Sequence, residues 1–165
     1  MSKLERVLRL AGTYRRSENL SEKQFYEYIS GRHGVECAKI HAKYGVLKYQ
    51  MAFNTASMRA LADSMRISYR MDDHDVEIEY YFKDAAALVA LSADKDFQAL
   101  HIECLPYVQI NKSTATMTWI EVYVDNGELV NISSEGKSLQ PSFEEQSSVE
   151  PALPVANYHD DAGNA

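Results

Sequence analysis

Hydrophobic and polar positions alternate with a period of two over several short runs, and between those runs the spacing lengthens to that of a helix. From Leu4 to Tyr14 the alternation predicts a strand with Leu8, Leu10, Gly12 and Tyr14 on one face. Ser21-Glu22-Lys23-Gln24 has the form of a capping box, in which Ser and Gln satisfy the first free amides of a helix. Phe25, Tyr28, Ile29 and Arg32 follow at helical spacing, and Gly31 and Gly34 predict a bend or break around His33. A second helical stretch runs to about Lys43, with Gly45 as its closing glycine after Tyr44.

Val46 to Asn54 is the next predicted strand, with Leu47, Tyr49, Met51 and Phe53 on one face. Met58, Leu61, Ala62 and Met65 mark a short amphipathic helix. The polar turn Asp72-Asp73-His74-Asp75 leads into the strand 76–82. Residues 85–105 read as helix, interrupted near 92–94 and ended by Pro106. A last strand spans 114–124, and Asp125-Asn126-Gly127 makes a hairpin turn into 128–130. The order β-α-β, short helix, β-α-β predicts an α+β fold, a ferredoxin-like βαββαβ sandwich with helices on one face of the sheet. Tyr, Met, Trp and Phe are expected on the other face, where a monomer would leave them in water. A second copy packed sheet on sheet removes that liability, so a homodimer forming a dimeric α+β barrel around a cavity is expected.

Charge divides the chain. The 165 residues carry a net −7, of which −5 falls in residues 131–165, where six acidic residues face one Lys137. That segment also holds three of the four prolines and six serines, so it reads as a flexible, acidic tail behind a nearly neutral domain of residues 1–130. The alternative is an arm that clasps a partner subunit. The acidic balance argues against nucleic acid as a partner. No apolar run is long enough for a membrane span, and no apolar segment follows the first residues, so a cytoplasmic protein is expected. Cys37 and Cys104 read as reduced, buried thiols.

Several motifs occur in a recognisable order. They are Tyr14-Arg15-Arg16, Ser21-Glu22-x-x-Phe25-x-x-Tyr28, Gly31-Arg32-His33-Gly34, Tyr44-Gly45-Val46-x-x-Tyr49-x-Met51, Asp73-His74-Asp75, Asp94-x-x-Phe97 and the closing run 121–127. Over roughly residues 4–130 this resembles the EthD-domain family. The resemblance implies a dimeric α+β barrel, without cofactor, in fungal polyketide pathways. It also implies a lyase, either a decarboxylase or a dehydratase or cyclase, acting on a polyketide-derived aromatic or β-keto acid. Val35 stands where the family has a proline, His74 where it has a tyrosine, and Cys104-Leu105 where it has a polar pair, with His101 and Glu103 nearby.

Histidine exchanges protons near neutrality, which makes it the natural group for decarboxylation or dehydration. His33, at the expected helix break, is the first candidate for proton transfer, with Asp75 and Tyr49 orienting substrate or stabilising an enolate. The competing reading of His33 is a satisfied histidine at a helix end. His74, between two aspartates, is a second candidate, and His101 a third that could replace the missing polar pair. Tyr14, Tyr81 and Trp119 suit a flat polycyclic ligand, and His41, outside the family motifs, joins them as a substrate-binding candidate. His159 falls in the tail and reads as solvated. No histidine or cysteine spacing fits a metal site, and no glycine-rich phosphate loop is present. Two other functions remain open: a non-catalytic small-molecule-binding or stress-response protein on the same barrel, and a related monooxygenase.

Overall fold

Four strands carry the molecule: β1 (Val7–Tyr14), β2 (Lys48–Phe53), β3 (Val76–Phe82) and β4 (Thr114–Ile120). They form one antiparallel sheet in the order β2-β3-β1-β4. This computed structural model describes residues 4–150 and has the ferredoxin-like arrangement that the alternating pattern predicts.

Register decides which side chains meet. Leu10 lies opposite both Tyr80 and Met117, and Tyr80 lies opposite Tyr49, so one row of large side chains crosses all four strands on a single face. The helices cover that face. Leu8, Val76, Ile78, Tyr80 and Phe82 pack there with Phe25 and Ile29. A second cluster of Cys37, Ile40, Leu91, Phe97 and Leu100 joins the helices to one another. The expectation that Tyr, Met, Trp and Phe occupy the uncovered face is therefore reversed. Period-two spacing tells which residues share a face and not which face the helices choose.

The uncovered face is polar. Glu79 is 7% exposed there because Arg9 and Gln50 donate hydrogen bonds to it beneath Tyr81. Burial works to raise the Glu79 carboxyl, but the bonds from Gln50 and Arg9 outweigh it and hold the group below its ordinary value. Threonines 13, 114, 116 and 118 continue this face across β1 and β4.

The helical layer begins at α1 (Glu22–Tyr26), where Ser21 and Gln24 form the expected capping box. It continues without a break through a wider, π-helical segment, Glu27–His33, into α2 (Gly34–Lys43). The expected break at Gly31 and Gly34 does not occur. Gly34 serves packing instead, since a Cβ there would stand 2.9 Å from the Met51 methyl of β2. Gly45, at φ +70°, closes the helix as its position predicts. The remaining helices are α3 (Ala56–Ser64), α4 (Ala85–Ser92) and α5 (Lys95–Cys104), capped by Thr55, Asp84 and Asp94 respectively. Beyond β4, Asn126 and Gly127 adopt left-handed conformations and turn β5 (Val124–Asp125) into β6 (Glu128–Leu129).

Residues 131–150, part of the segment whose composition suggests a tail, make contacts with the domain. They end in α6 (Phe143–Ser147), where Gln146 is 1% exposed and the Phe143 ring lies 6.2 Å from that of Trp119. The Arg6 guanidinium donates to the carbonyls of Glu145, Gln146 and Ser148, which ties the segment to the start of the sheet. Composition alone missed this because one arginine at the chain's beginning supplies the attachment. Residues 151–165, including His159, lie outside the described residues. No helix among the described residues is long and apolar enough to cross a membrane.

Candidate active site

A hollow opens between the sheet and the helices α4 and α5. It has two lobes of about 180 and 240 Å³ that share Tyr14, His101 and Ala115 in their walls. Small residues make the space: Gly12 and Ala115 are directly paired across β1 and β4, where larger residues elsewhere fill the row. The Tyr14 ring folds back over Gly12, so that a Cβ at position 12 would meet the phenol oxygen at 2.7 Å and the ring at 2.8 Å. Burial pushes the Tyr14 hydroxyl up to about 12, which keeps it protonated as a hydrogen-bond donor.

His101 reaches the hollow because Asp94 fixes where α5 begins, accepting from the amides of Asp96 and Phe97. Phe97 and His101 then stand one turn apart on the same face, with ring centroids 5.2 Å apart. The Asp94-x-x-Phe97 motif is thereby accounted for as a helix start that aims a histidine.

His33 lies behind this wall. It is 4% exposed, so the helix does not present it to solvent as the expected break would have done. One ring nitrogen is 3.4 Å from the Cys37 thiol one turn along the helix, and the other, Nδ1, has no partner among the described residues. Burial, and then the opposing charge of His101, bring its pKa down to about 4. His41 is buried deeper still, edge-on to Tyr49 at 4.4 Å and to Tyr80 at 4.9 Å, with neither nitrogen hydrogen-bonded among the described residues. Burial, assisted by His33, lowers it to about 4 as well. The Tyr49 hydroxyl lies beside the Cys37 thiol without hydrogen-bond geometry, and burial raises both groups, the thiol to about 12. Neutral imidazoles and protonated phenols therefore occupy the interior at neutral pH.

A third set of groups gave no clear sequence signal. Arg32 makes two 3.1 Å bonds to the Glu103 carboxylate, which also accepts from Tyr28 at 3.3 Å. Tyr28 stacks on Tyr107 with centroids 3.4 Å apart and leans toward His33 at 6.2 Å. The arginine beside Glu103 holds that carboxyl below its ordinary value. Ser92, Ser113 and Ala115, which line the hollow, also lacked any distinguishing motif.

Other predicted residues stand elsewhere. The Asp75 carboxylate accepts from the Arg16 amide at 2.9 Å and from the Arg16 guanidinium, and Asp73 pairs with Arg15. These pairs pin the end of β1 to the start of β3, and Asp75 is not among the residues that line the hollow. His74 sits 3.3 Å from Asp72 in the same turn. Tyr81 is on the uncovered face, accepting from Gln50 at 3.3 Å, and Trp119 packs near Phe143 with its indole donating to Glu121 at 3.3 Å. Of the predicted side chains, the structure brings Tyr14 and His101 together at the hollow and places His33, His41 and Tyr49 behind it. A larger space of about 540 Å³ lies between the start of β1, α4 and residues 148–150, but its Arg6 holds three carbonyls and its Asp84 caps the helix.

The family model described as the EthD domain matches residues 17–104. An oxygenase-named protein of Aspergillus terreus is 30% identical over 145 residues, covering 86% of this chain and 91% of that protein. Dehydratase aurZ of Gibberella zeae is 24% identical, with 68% and 76% covered. The conidial pigment biosynthesis dehydratase EthD of Metarhizium robertsii is 22% identical, with 76% and 91% covered. Among solved structures, the hydroxynitrile lyase of Passiflora edulis superposes with a TM-score of 0.54 at 15% identity, covering 72% of this chain and 96% of its own. A dimeric ferredoxin-like protein of Thermobifida fusca does so with a TM-score of 0.50 at 11% identity, covering 73% and 96%. Both structural likenesses concern the fold alone.

Proposed function

Because this chain belongs to the EthD-domain family, we propose that it is a lyase of polyketide-type chemistry, acting by proton transfer on a polycyclic hydroxy-ketone held in the hollow between the sheet and α4–α5. The observation that carries this reading is the placement of a histidine and a protonated phenol, His101 and Tyr14, in the shared wall of one mostly apolar space. In the dehydration we propose, the His101 imidazole takes a proton from the carbon beside a carbonyl, and Tyr14 donates a hydrogen bond to the enolate oxygen that forms. The hydroxyl group on the next carbon then leaves, the imidazolium returns its proton to it, and water departs as the new double bond closes. No electrons enter or leave. The dehydratase names of two fungal relatives support this choice among the lyase reactions.

His33 contributes from behind. It remains uncharged at neutral pH, so it adds no second positive charge to oppose the imidazolium that forms on His101. Catalysis by a homodimer is part of the same reading, supported by the dimeric ferredoxin-like relative and no longer by an apolar uncovered face. A second reading, an oxygenase, is favoured by the name of the Aspergillus terreus relative. One experiment separates the two. The purified protein is incubated with a hydroxylated polycyclic ketone while dissolved oxygen is recorded and products are weighed by mass spectrometry. Loss of water without oxygen uptake supports the lyase, and stoichiometric oxygen uptake supports the oxygenase.

A further inference from the structure

Two exposed surfaces of this chain are opposite in charge. The first is a groove of two lobes, about 540 and 520 Å³, that share Arg6 and Ser148. Its floor is apolar, because α4 carries no charged residue and leaves Ala86 and Ala90 exposed beside Leu8, Val89 and Val149. Its rim is acidic. Asp84, Glu144, Glu145 and Glu150 stand against the one guanidinium of Arg6, which already holds three carbonyls. Gln146 adds a buried acceptor, since its Oε1 has no partner among the described residues. The second surface is the segment between α3 and β3. Residues 63–73 are exposed throughout, Tyr69 at 83%. There Ile67, Tyr69 and Met71 alternate with Ser68 and Arg70, and Met65 and Arg66 precede them. Among the described residues, Arg66 and Arg70 have no carboxylate partner and the backbone of 67–71 makes no hydrogen bond.

We propose that the groove receives residues 65–71 of a second copy of this chain. The apolar side chains that alternate along the segment cover the exposed alanines of α4 and leave water themselves. Arg66 and Arg70 meet the acidic rim, and a free amide of the segment donates to Gln146 Oε1. A chain does not fill its own groove. The groove lies by the start of β1, whereas the segment leads into β3 at Val76, which pairs with Tyr14 at the other end of β1. The eight residues of β1 separate the two by about 25 Å. Two copies lying side by side and antiparallel exchange their segments reciprocally, which closes the assembly as a dimer. This contact lies outside the hollow and does not depend on the chemistry proposed there.

Sedimentation velocity on the full chain tests the exchange with two charge-reversed variants. One carries Arg66→Glu and Arg70→Glu, the other Glu144→Arg and Glu150→Arg, and circular dichroism confirms that both fold. The unaltered protein is expected as a dimer whose dissociation constant rises with salt. Each variant alone should dissociate at least about ten-fold more readily, because like charges then face each other. Tyr69→Ser, which leaves every charge in place, should weaken the dimer as well. An equimolar mixture of the two charge-reversed variants should recover it, since each basic surface then meets an acidic one in both contacts. A monomeric unaltered protein, variants as dimeric as it, or a mixture no tighter than its components would overturn the proposal. So would a monomer that sediments with phosphatidylserine vesicles through Arg66 and Arg70, an outcome that gives the segment to a lipid surface instead.

Discussion

Replacing His33 or His41 by glutamine should flatten the loss of stability that this protein suffers in mild acid. Both imidazoles are buried and brought down to about 4, His33 facing His101, Glu103, Cys37 and Tyr28, and His41 facing His33, Tyr49 and Tyr80. In the unfolded chain a histidine titrates near 6.5, so between that value and 4 the unfolded state binds protons that the folded state refuses. Stability therefore rises with pH across this window and falls as pH drops through it. At about pH 5 the unfolded state gains roughly one and a half pKa units per histidine, or about 2 kcal/mol at 1.36 kcal/mol per unit. With an m-value of about 2 kcal/mol per molar urea, one such histidine moves the midpoint by about 1 M between neutral pH and pH 5. The assay is urea unfolding at both values for the unaltered protein and each variant. Glutamine cannot titrate, so each variant should lose about 1 M less on acidification. The carboxyls of Glu79, Glu103 and Asp94, all lowered, work in the same direction below about pH 4.5 and are common to every variant. Equal midpoint shifts in the variants and the unaltered protein would refute the claim that these imidazoles are held neutral by burial.

The remaining expectations concern the site and the C-terminal segment. His101→Asn should lower turnover by about 10² to 10⁴, the usual contribution of a general acid–base group, with the melting temperature nearly unchanged; steady-state rates and calorimetry check both. Gly12→Ala should push the Tyr14 ring aside and cost up to about 10² in rate, and a variant with unchanged kinetics would show that the Tyr14 position is immaterial. Deleting residues 131–165 should destabilise the domain by about 2 kcal/mol, because Arg6 loses the carbonyls it holds. Denaturation midpoints that match the full chain would show that the Arg6 contacts contribute nothing.

Much of this was legible in the sequence, and the exceptions have physical causes. The Ser21 capping box, the Gly45 closure, the helix interruption near 92–94 and the Asn126-Gly127 turn are local devices, and each appears where local chemistry puts it. The sharing of a face by Leu8, Leu10, Gly12 and Tyr14 was equally readable, since alternation needs no knowledge of neighbours. The choice of face for the helices was not, because Tyr49 and Trp119 look alike in sequence whether a helix or a second sheet covers them. Gly34 illustrates the same limit: read alone it weakens a helix, but against Met51 it lets the helix approach the sheet. For the site, histidine chemistry pointed to His33, His74 and His101 alike. Only packing separates them, burying the first, leaving the second beside Asp72 and setting the third in the wall of the hollow.

The most direct test of the central claim is turnover of an uncharged polycyclic hydroxy-ketone by the purified protein with His101 intact and then replaced by Asn. Product mass and dissolved oxygen are followed together. The account predicts loss of water without oxygen consumption and near-complete loss of this activity in His101→Asn. Oxygen consumed in step with product, or undiminished dehydration by His101→Asn, would contradict it.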